Sequence, residues 1–93
     1  MDARRCVAWN IRKIRVSKGL AQEALAVDAE IDRTYVSRLE RGLENPTVAV
    51  LERVAAALDV SISAFFRVPK AGARPIAMLR RGRKPKHTGK IRS

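Results

Sequence analysis

Apolar residues recur at helical spacing through the first two thirds of the chain and lose that periodicity after Pro69. Val7, Ile11 and Ile14 stand at i, i+4 and i+7, a spacing that predicts an amphipathic helix over residues 4–18. Similar patterns predict four further helices, the last of them short, over residues 22–29, 33–41, 48–58 and 62–66. We therefore expect an all-α fold, a compact five-helix domain.

Residues at the ends of these segments support the predicted bounds. Gly19 and Gly42 follow the first and third helices, where a residue that tolerates positive φ commonly ends a helix. Pro46 disfavours helical backbone at Asn45 and so predicts an extended segment before the fourth helix. Side-chain oxygens that can cap a helix precede the third, fourth and fifth helices, at Asp32, Thr47 and Ser61.

Charge divides the chain into two parts. The net charge of the 93 residues is +11, yet residues 1–69 hold 11 Lys and Arg against 9 Asp and Glu. Residues 70–93 hold the other 9 basic residues and no acidic one. We expect one folded domain over residues 1–69, followed by a Gly- and Pro-containing basic tail that is disordered on its own. Such a polycation favours an anionic polymer as partner, nucleic acid before an anionic membrane.

Several function classes find little support in the sequence. Cys6 is the lone cysteine and is expected to be inert, and His87 is the lone histidine, so neither a disulfide nor a metal site is predicted. The chain has no recognisable nucleophile–base pair or phosphate-cradling glycine loop, so we expect no enzyme activity and no cofactor. No apolar run approaches the ~20 residues of a membrane span, and no secretory signal is recognisable, so we expect a cytoplasmic protein.

The third predicted helix has an unusual surface. Its apolar positions are few, and most of its other side chains are hydrogen-bond donors: Arg33, Thr34, Tyr35, Ser37, Arg38 and Arg41. Arginine can donate two parallel hydrogen bonds to a guanine edge, and threonine can contact a thymine methyl group or a phosphate. Gln22, in the first turn of the second helix, can hold a phosphate together with free backbone N–H groups. These features favour double-stranded DNA as the partner.

Residues 7–66 resemble the phage-repressor-type (Xre-like) helix-turn-helix domain. The resemblance rests on Ile11-Arg12, Arg15, Gly19-Leu20, Gln22-Glu23, Leu25-Ala26 and the segments SRLERGLENPT and LERVAAALDVS. The segment DRTYVSRLERG is particularly similar to the controller proteins of restriction-modification systems. The resemblance implies a sequence-specific transcriptional regulator of the bacterial nucleoid whose recognition helix, residues 33–41, reads the major groove of an operator.

The resemblance also implies roles for individual residues. Arg33, Thr34 and Arg38 would read bases. Phosphate contacts would come from Gln22, Tyr35, Ser37, Arg41 and Asn45. Arg15 and Glu40 would form a partly buried ion pair that ties the first helix to the end of the third, which is a structural role.

Two residues depart from the family pattern. Ala21 stands where a Ser or Thr usually caps the second helix, a loss of one cap hydrogen bond that costs ~1 kcal/mol by analogy with cap deletions. Glu30 stands where a glycine often makes the turn, so the turn and the pose of the recognition helix can differ from the pattern.

Protein partners are expected as well. Phe65 and Phe66 are adjacent, so one should pack inward while the other covers a neighbour. We expect a homodimer, because one helix-turn-helix makes few contacts whereas two read half-sites about one helical turn apart. Trp9 and Val16 lie opposite the apolar stripe of the first helix and form a partner surface or pack beneath another segment. An antitoxin-type regulator that binds a toxin through Trp9 and also its own promoter is the alternative function, ahead of a basic RNA- or ribosome-associated protein.

The tail offers a possible DNA arm made of Arg80, Arg81, Arg83, Lys84 and Lys86. Its segment RRGRKPKHTGK resembles an AT-hook, which lays an Arg-Gly-Arg-Pro core in the minor groove of A·T tracts. Here a lysine separates the second arginine from the proline, so the match is imperfect. A plain electrostatic arm is the preferred interpretation, and a true hook is the alternative.

Overall fold

The computed structural model describes residues 2–69, and that part of the chain is helical without strands. Its elements are α1 (Ala3–Ser17), α2 (Gln22–Ala29), α3 (Arg33–Glu40), α4 (Val48–Leu58) and a 3₁₀ helix (Ile62–Phe66). The all-α prediction is confirmed, and the predicted bounds agree with these to within one residue. The predicted tail, with its candidate DNA arm, lies outside the described residues. No helix of the described part is long and apolar enough to cross a membrane.

The core forms where the apolar stripes of all five helices meet. Its most deeply buried side chains are Ile11, Leu25, Val36, Leu39, Val54, Leu58 and Phe65. α1 packs against α3 and the 3₁₀ helix, while α2 packs against α3 and α4. The two buried apolar residues of α3 are the ones that its 3.6-residue period placed inward, so the opposite face of α3 is left for solvent.

Two of the three predicted N-cap side chains cap their helices, and both predicted glycines end theirs. The Asp32 carboxylate accepts a hydrogen bond from the backbone N–H of Thr34 at 2.9 Å, and the Thr47 hydroxyl accepts one from that of Val50 at 3.1 Å. Gly19 and Gly42 have φ angles of 71° and 75°, the left-handed conformation that glycine adopts without strain. These ends hold α3 to a length of only two turns.

The last helix differs from the sequence-based prediction in two ways. It is a 3₁₀ helix rather than an α-helix, as is common for such short segments. Ser61 occupies the N-cap position, but its side chain makes no capping hydrogen bond, and its hydroxyl instead lies 2.7 Å from that of Ser63. The prediction that Ser61 caps this helix through its side chain is therefore wrong.

A buried asparagine fixes the end of the domain. The Asn10 side-chain amide donates to the backbone carbonyls of Phe65 at 2.9 Å and Arg67 at 2.8 Å. Cys6, one turn earlier on α1, is also buried and donates to the Arg67 carbonyl at 3.2 Å. With the backbone held at both carbonyls, Phe65 points into the core and is fully buried, whereas Phe66 is 48% exposed.

The two departures from the family pattern shape the connection around α2. Ala21 gives α2 no side-chain cap hydrogen bond, as expected from its methyl group. Glu30 adopts the left-handed conformation with φ 61°, and the next N–H, of Ile31, donates back to the Ala26 carbonyl at 3.0 Å. Glu30 thus makes the turn that a glycine would otherwise make, at the backbone strain that a side chain incurs there.

Candidate nucleic-acid interface

The exposed face of α3 gathers most of the residues that the sequence predicted for contact with DNA. At about 100° per residue, its outward positions fall within an arc of roughly 140°. Arg33, Thr34 and Arg38 are exposed on this arc, Arg41 is exposed at the helix C-cap, and Ser37 lies half-buried among them. Three guanidinium groups therefore share one face of a two-turn helix, which is the charge and geometry needed to enter a phosphate-lined groove.

Tyr35 lies at the edge of this face. Its half-buried ring packs against the hydrophobic core, so it faces outward less than the sequence suggested. Burial, and secondarily the nearby Glu44 carboxylate, raise the pKa of Tyr35 above the ordinary value of 10.0. The phenol consequently stays protonated at neutral pH and can donate a hydrogen bond from a side chain whose ring is already positioned.

Arg38 already has partners in the connection that follows α3. Its Nε donates to Glu44 Oε2 at 2.7 Å, and its Nη2 donates to the Leu43 carbonyl at 3.3 Å. The pair is open to solvent, with 45% of the Arg38 side chain and 26% of the Glu44 side chain exposed. Sequence reasoning missed Glu44 because a lone glutamate in a loop carries no pattern of its own.

The expected pair of Arg15 and Glu40 forms beneath this face. The guanidinium contacts both carboxylate oxygens, Nε to Oε2 at 2.5 Å and Nη2 to Oε1 at 2.9 Å. The side chains are 8% and 0% exposed, so the pair is more deeply buried than the sequence suggested. Arg15 Nη1 also donates to the Leu20 carbonyl at 2.6 Å, which links α1, the turn before α2 and the end of α3.

Gln22 joins the same network. Its amide nitrogen donates to Glu40 Oε1 at 3.1 Å, which brings the first turn of α2 beside the last turn of α3. The predicted phosphate contact of Gln22 must therefore use the rest of its amide or the backbone N–H groups of this uncapped helix end. Asn45 is exposed in the extended connection between α3 and α4, four residues after Arg41.

Other sequence-derived candidates lie away from this face. Trp9 and Val16 are half-buried on α1, and the ammonium group of Lys13 lies 5.0 Å from the centre of the Trp9 ring. Within residues 2–69 no group of three His, Cys, Asp or Glu residues is placed to hold a metal ion.

Residues 11–65 match the sequence profile of the helix-turn-helix family. The chain is 47% identical over 69 residues to the Neisseria hypothetical transcription factor of Neisseria meningitidis, a match that spans 74% of this chain and 65% of that protein. It is 37% identical over 57 residues to control protein C.MunI of a Mycoplasma species, over 60% of this chain and 77% of that protein.

Solved structures have the same architecture. The crystal structure of the hypothetical transcription factor NHTF from Neisseria aligns with a TM-score of 0.71 at 41% identity, covering 76% of this chain and 82% of that chain. The restriction-modification controller protein C.Esp1396I, crystallised as a tetramer with its natural 35-base-pair operator, aligns with a TM-score of 0.66 at 41% identity. That alignment covers 71% of this chain and 87% of the controller chain.

The buried and exposed ion pairs differ in what their loss should cost. Glu40→Ala leaves the Arg15 guanidinium buried without its partner and should lower the free energy of unfolding by ~3 kcal/mol or more. Glu44→Ala breaks a solvent-exposed pair and should cost less than ~1 kcal/mol. Thermal and urea unfolding of both variants measure the difference, and replacing Arg15 and Glu40 together by a matched apolar pair should recover much of the loss. Equal effects of the two single changes would contradict the structural role of the buried pair.

Proposed function

The chain belongs to the helix-turn-helix family of DNA-binding transcriptional regulators, and we propose that it recognises a specific operator by laying α3 in the major groove. The observation that carries this proposal is the exposed arc of α3, which presents Arg33, Thr34 and Arg38 on a helix whose opposite side is buried. A major groove about 12 Å wide admits one α-helix, and its base edges match the donors of these three side chains.

The residues around the arc divide into readers and clamps. Arg33, Thr34 and Arg38 are assigned to base edges because they are the exposed side chains within α3 itself. Phosphate contacts are assigned to residues at the borders of the arc and beyond its ends, namely Gln22, Tyr35, Ser37, Arg41 and Asn45. This division is supported by the half-buried positions of the tyrosine and the serine, which limit their reach into a groove.

We further propose that the protein acts as a homodimer. Phe66 is 48% and Val68 76% exposed at the end of the described chain, next to the carbonyls that Asn10 holds in place. Two exposed apolar side chains close together in the chain, on a positioned backbone, are suited to an isologous contact with a second copy. Two copies of α3 about one helical turn apart would then read a two-fold operator.

The similarity to controller proteins supports this interpretation. C.Esp1396I is described as a tetramer on its natural operator, so a protein with the same fold assembles on DNA in more than one copy. By analogy the chain would occupy its operator on the nucleoid and thereby exclude or recruit the polymerase. Nothing in that action requires bond chemistry.

The reading of bases can be tested with DNA selected from a random library by the full-length protein. Arg33→Ala and Arg38→Ala should each weaken binding to the selected sequence by ~1–3 kcal/mol and hardly affect binding to random DNA. Arg53→Ala, a change of the same charge at an exposed position of α4, is the control and should leave the preference intact. Competition binding at one salt concentration decides the matter. Equal losses on both DNAs would reduce the two arginines to phosphate contacts.

The dimer can be tested by sedimentation without DNA. Sedimentation of the wild-type protein should give a molar mass twice the 10.4 kDa of one chain, and Phe66→Asp should lower that mass towards the value for a single chain. Val27→Asp is the matched control, because Val27 is also exposed, at 70%, but lies on α2. A wild-type protein that stays monomeric at tens of micromolar, or equal dissociation by both substitutions, would overturn the proposed contact.

The tail can be tested by its salt dependence. Each phosphate that a basic group neutralises adds ~0.9 to the slope of log affinity against log salt on duplex DNA. If four basic groups of the tail contact phosphates, the salt slope of the full-length protein should be steeper than that of a truncated protein, residues 1–69, by ~3 to 4 units. The sequence preference of the two proteins should be the same. If the tail is a true hook, its removal should instead weaken binding most where A·T tracts flank the operator, which A·T- and G·C-flanked probes distinguish. An unchanged slope and flank preference would show that the tail is no DNA arm.

A further inference from the structure

A carboxylate lies at the edge of the arginine-rich face, where charge alone would disfavour it. Glu44 follows α3 by four residues, and its side chain is 26% exposed beside a face that carries Arg33, Arg38 and Arg41. A negative charge beside a surface that receives phosphates weakens binding to DNA of any sequence. Any compensating benefit must come from what Glu44 contacts.

The contacts of Glu44 leave one edge of the Arg38 guanidinium available. A guanidinium has five N–H groups, one on Nε and two on each Nη. Glu44 accepts from Nε at 2.7 Å, and the Leu43 carbonyl accepts from one N–H of Nη2 at 3.3 Å. Within the described residues no acceptor contacts Nη1. Both N–H groups of Nη1 and one N–H of Nη2 therefore remain for a guanine, whose O6 and N7 require two parallel donors.

An arginine side chain that is held in place before DNA binds also favours specific binding. An unrestrained arginine loses rotamer freedom when it docks on a base, and a side chain already held in place loses less. Glu44 additionally lies near Tyr35, whose pKa it helps to raise. One carboxylate therefore acts on two of the residues assigned to DNA contact, a base reader and a phosphate clamp.

We propose that Glu44 is a specificity-determining residue that holds Arg38 by its Nε edge for guanine recognition and, through its charge, disfavours DNA of other sequences. On the cognate operator the remaining N–H groups of Arg38 meet a guanine while Glu44 keeps its contact. On other DNA the same arginine can contact a phosphate only by leaving Glu44, and the freed carboxylate then repels the phosphates of the DNA. The proposal rests on the proposed function, since it assumes that Arg38 reads a base.

Two substitutions separate the charge of Glu44 from its hold on Arg38. Glu44→Gln removes the charge and weakens the hold, so affinity for random DNA should rise while the ratio of cognate to random affinity falls by about 3- to 10-fold, part of what a bidentate contact supplies. Glu44→Asp keeps the charge but shortens the reach by one methylene, so the ratio should fall without any gain on random DNA. Glu52→Gln removes an equal charge from an exposed position of α4 and should leave the ratio unchanged.

The decisive readout is competition between the selected operator and variants with each guanine replaced in turn, at fixed salt. The Glu44 substitutions should weaken the preference for one guanine, the same one that Arg38→Ala affects. In the Arg38→Ala background they should weaken that preference no further. A ratio that changes no more for Glu44→Gln than for Glu52→Gln would overturn the role of Glu44. If instead the wild-type protein shows no preference for any DNA, the proposed function itself fails, so the two failures are distinguishable. Melting temperatures of all variants confirm that each is folded.

Discussion

The position of α3 depends on the ion pair between Arg15 and Glu40. Among the residues that the structure describes, this is the one ion pair whose side chains are both nearly inaccessible to solvent. Removing two charges from water is costly, and the cost is offset only when geometry and further hydrogen bonds are good. Here the arginine satisfies both carboxylate oxygens and the Leu20 carbonyl, and Gln22 adds a further donor. Four segments of chain are thereby held in one arrangement, and any other pose of α3 would leave a buried charge unpaired.

The same pair of residue types occurs a second time with a different consequence. Arg38 and Glu44 also form an arginine–glutamate contact, but solvent reaches both side chains. In water such a pair adds little to stability, so its loss should leave the fold in place. The buried pair thus fixes where α3 lies, and the exposed pair contacts one of the side chains proposed to read DNA. The two pairs have the same residue types and differ in their exposure to solvent.

Local pattern determines which parts of this fold can be predicted from the sequence. The helices, the inward positions of Val36 and Leu39, and the caps at Asp32 and Thr47 follow from spacing and from residues that act on their near neighbours. The expected ion pair of α1 and α3 came from the family motif, since no local rule joins residues 25 positions apart. Asn10 could not be predicted, because two of the carbonyls that it contacts are more than 50 residues away and a polar residue on a helix gives no sign of being buried. The failed cap at Ser61 has a local origin, because its hydroxyl pairs with that of Ser63, two residues on, and makes no capping hydrogen bond.

The candidate interface shows the same limit at finer scale. The exposed arginines and the threonine of α3 could be predicted because a short amphipathic helix leaves its polar arc outside. The inward packing of the Tyr35 ring and the contact of Gln22 with Glu40 depend on neighbouring elements, which the sequence of α2 or α3 alone does not contain.

The proposed reading of bases by α3 in the major groove is tested most directly by methylation interference on the operator. Dimethyl sulfate modifies guanine at N7 in the major groove and adenine at N3 in the minor groove, so one reagent reports on both grooves. Binding to a sparsely methylated operator should be blocked by N7 methylation at guanines within each half-site, while N3 methylation there should be tolerated. Bound DNA that carries N7-methylated guanines throughout the half-sites would contradict major-groove recognition by α3.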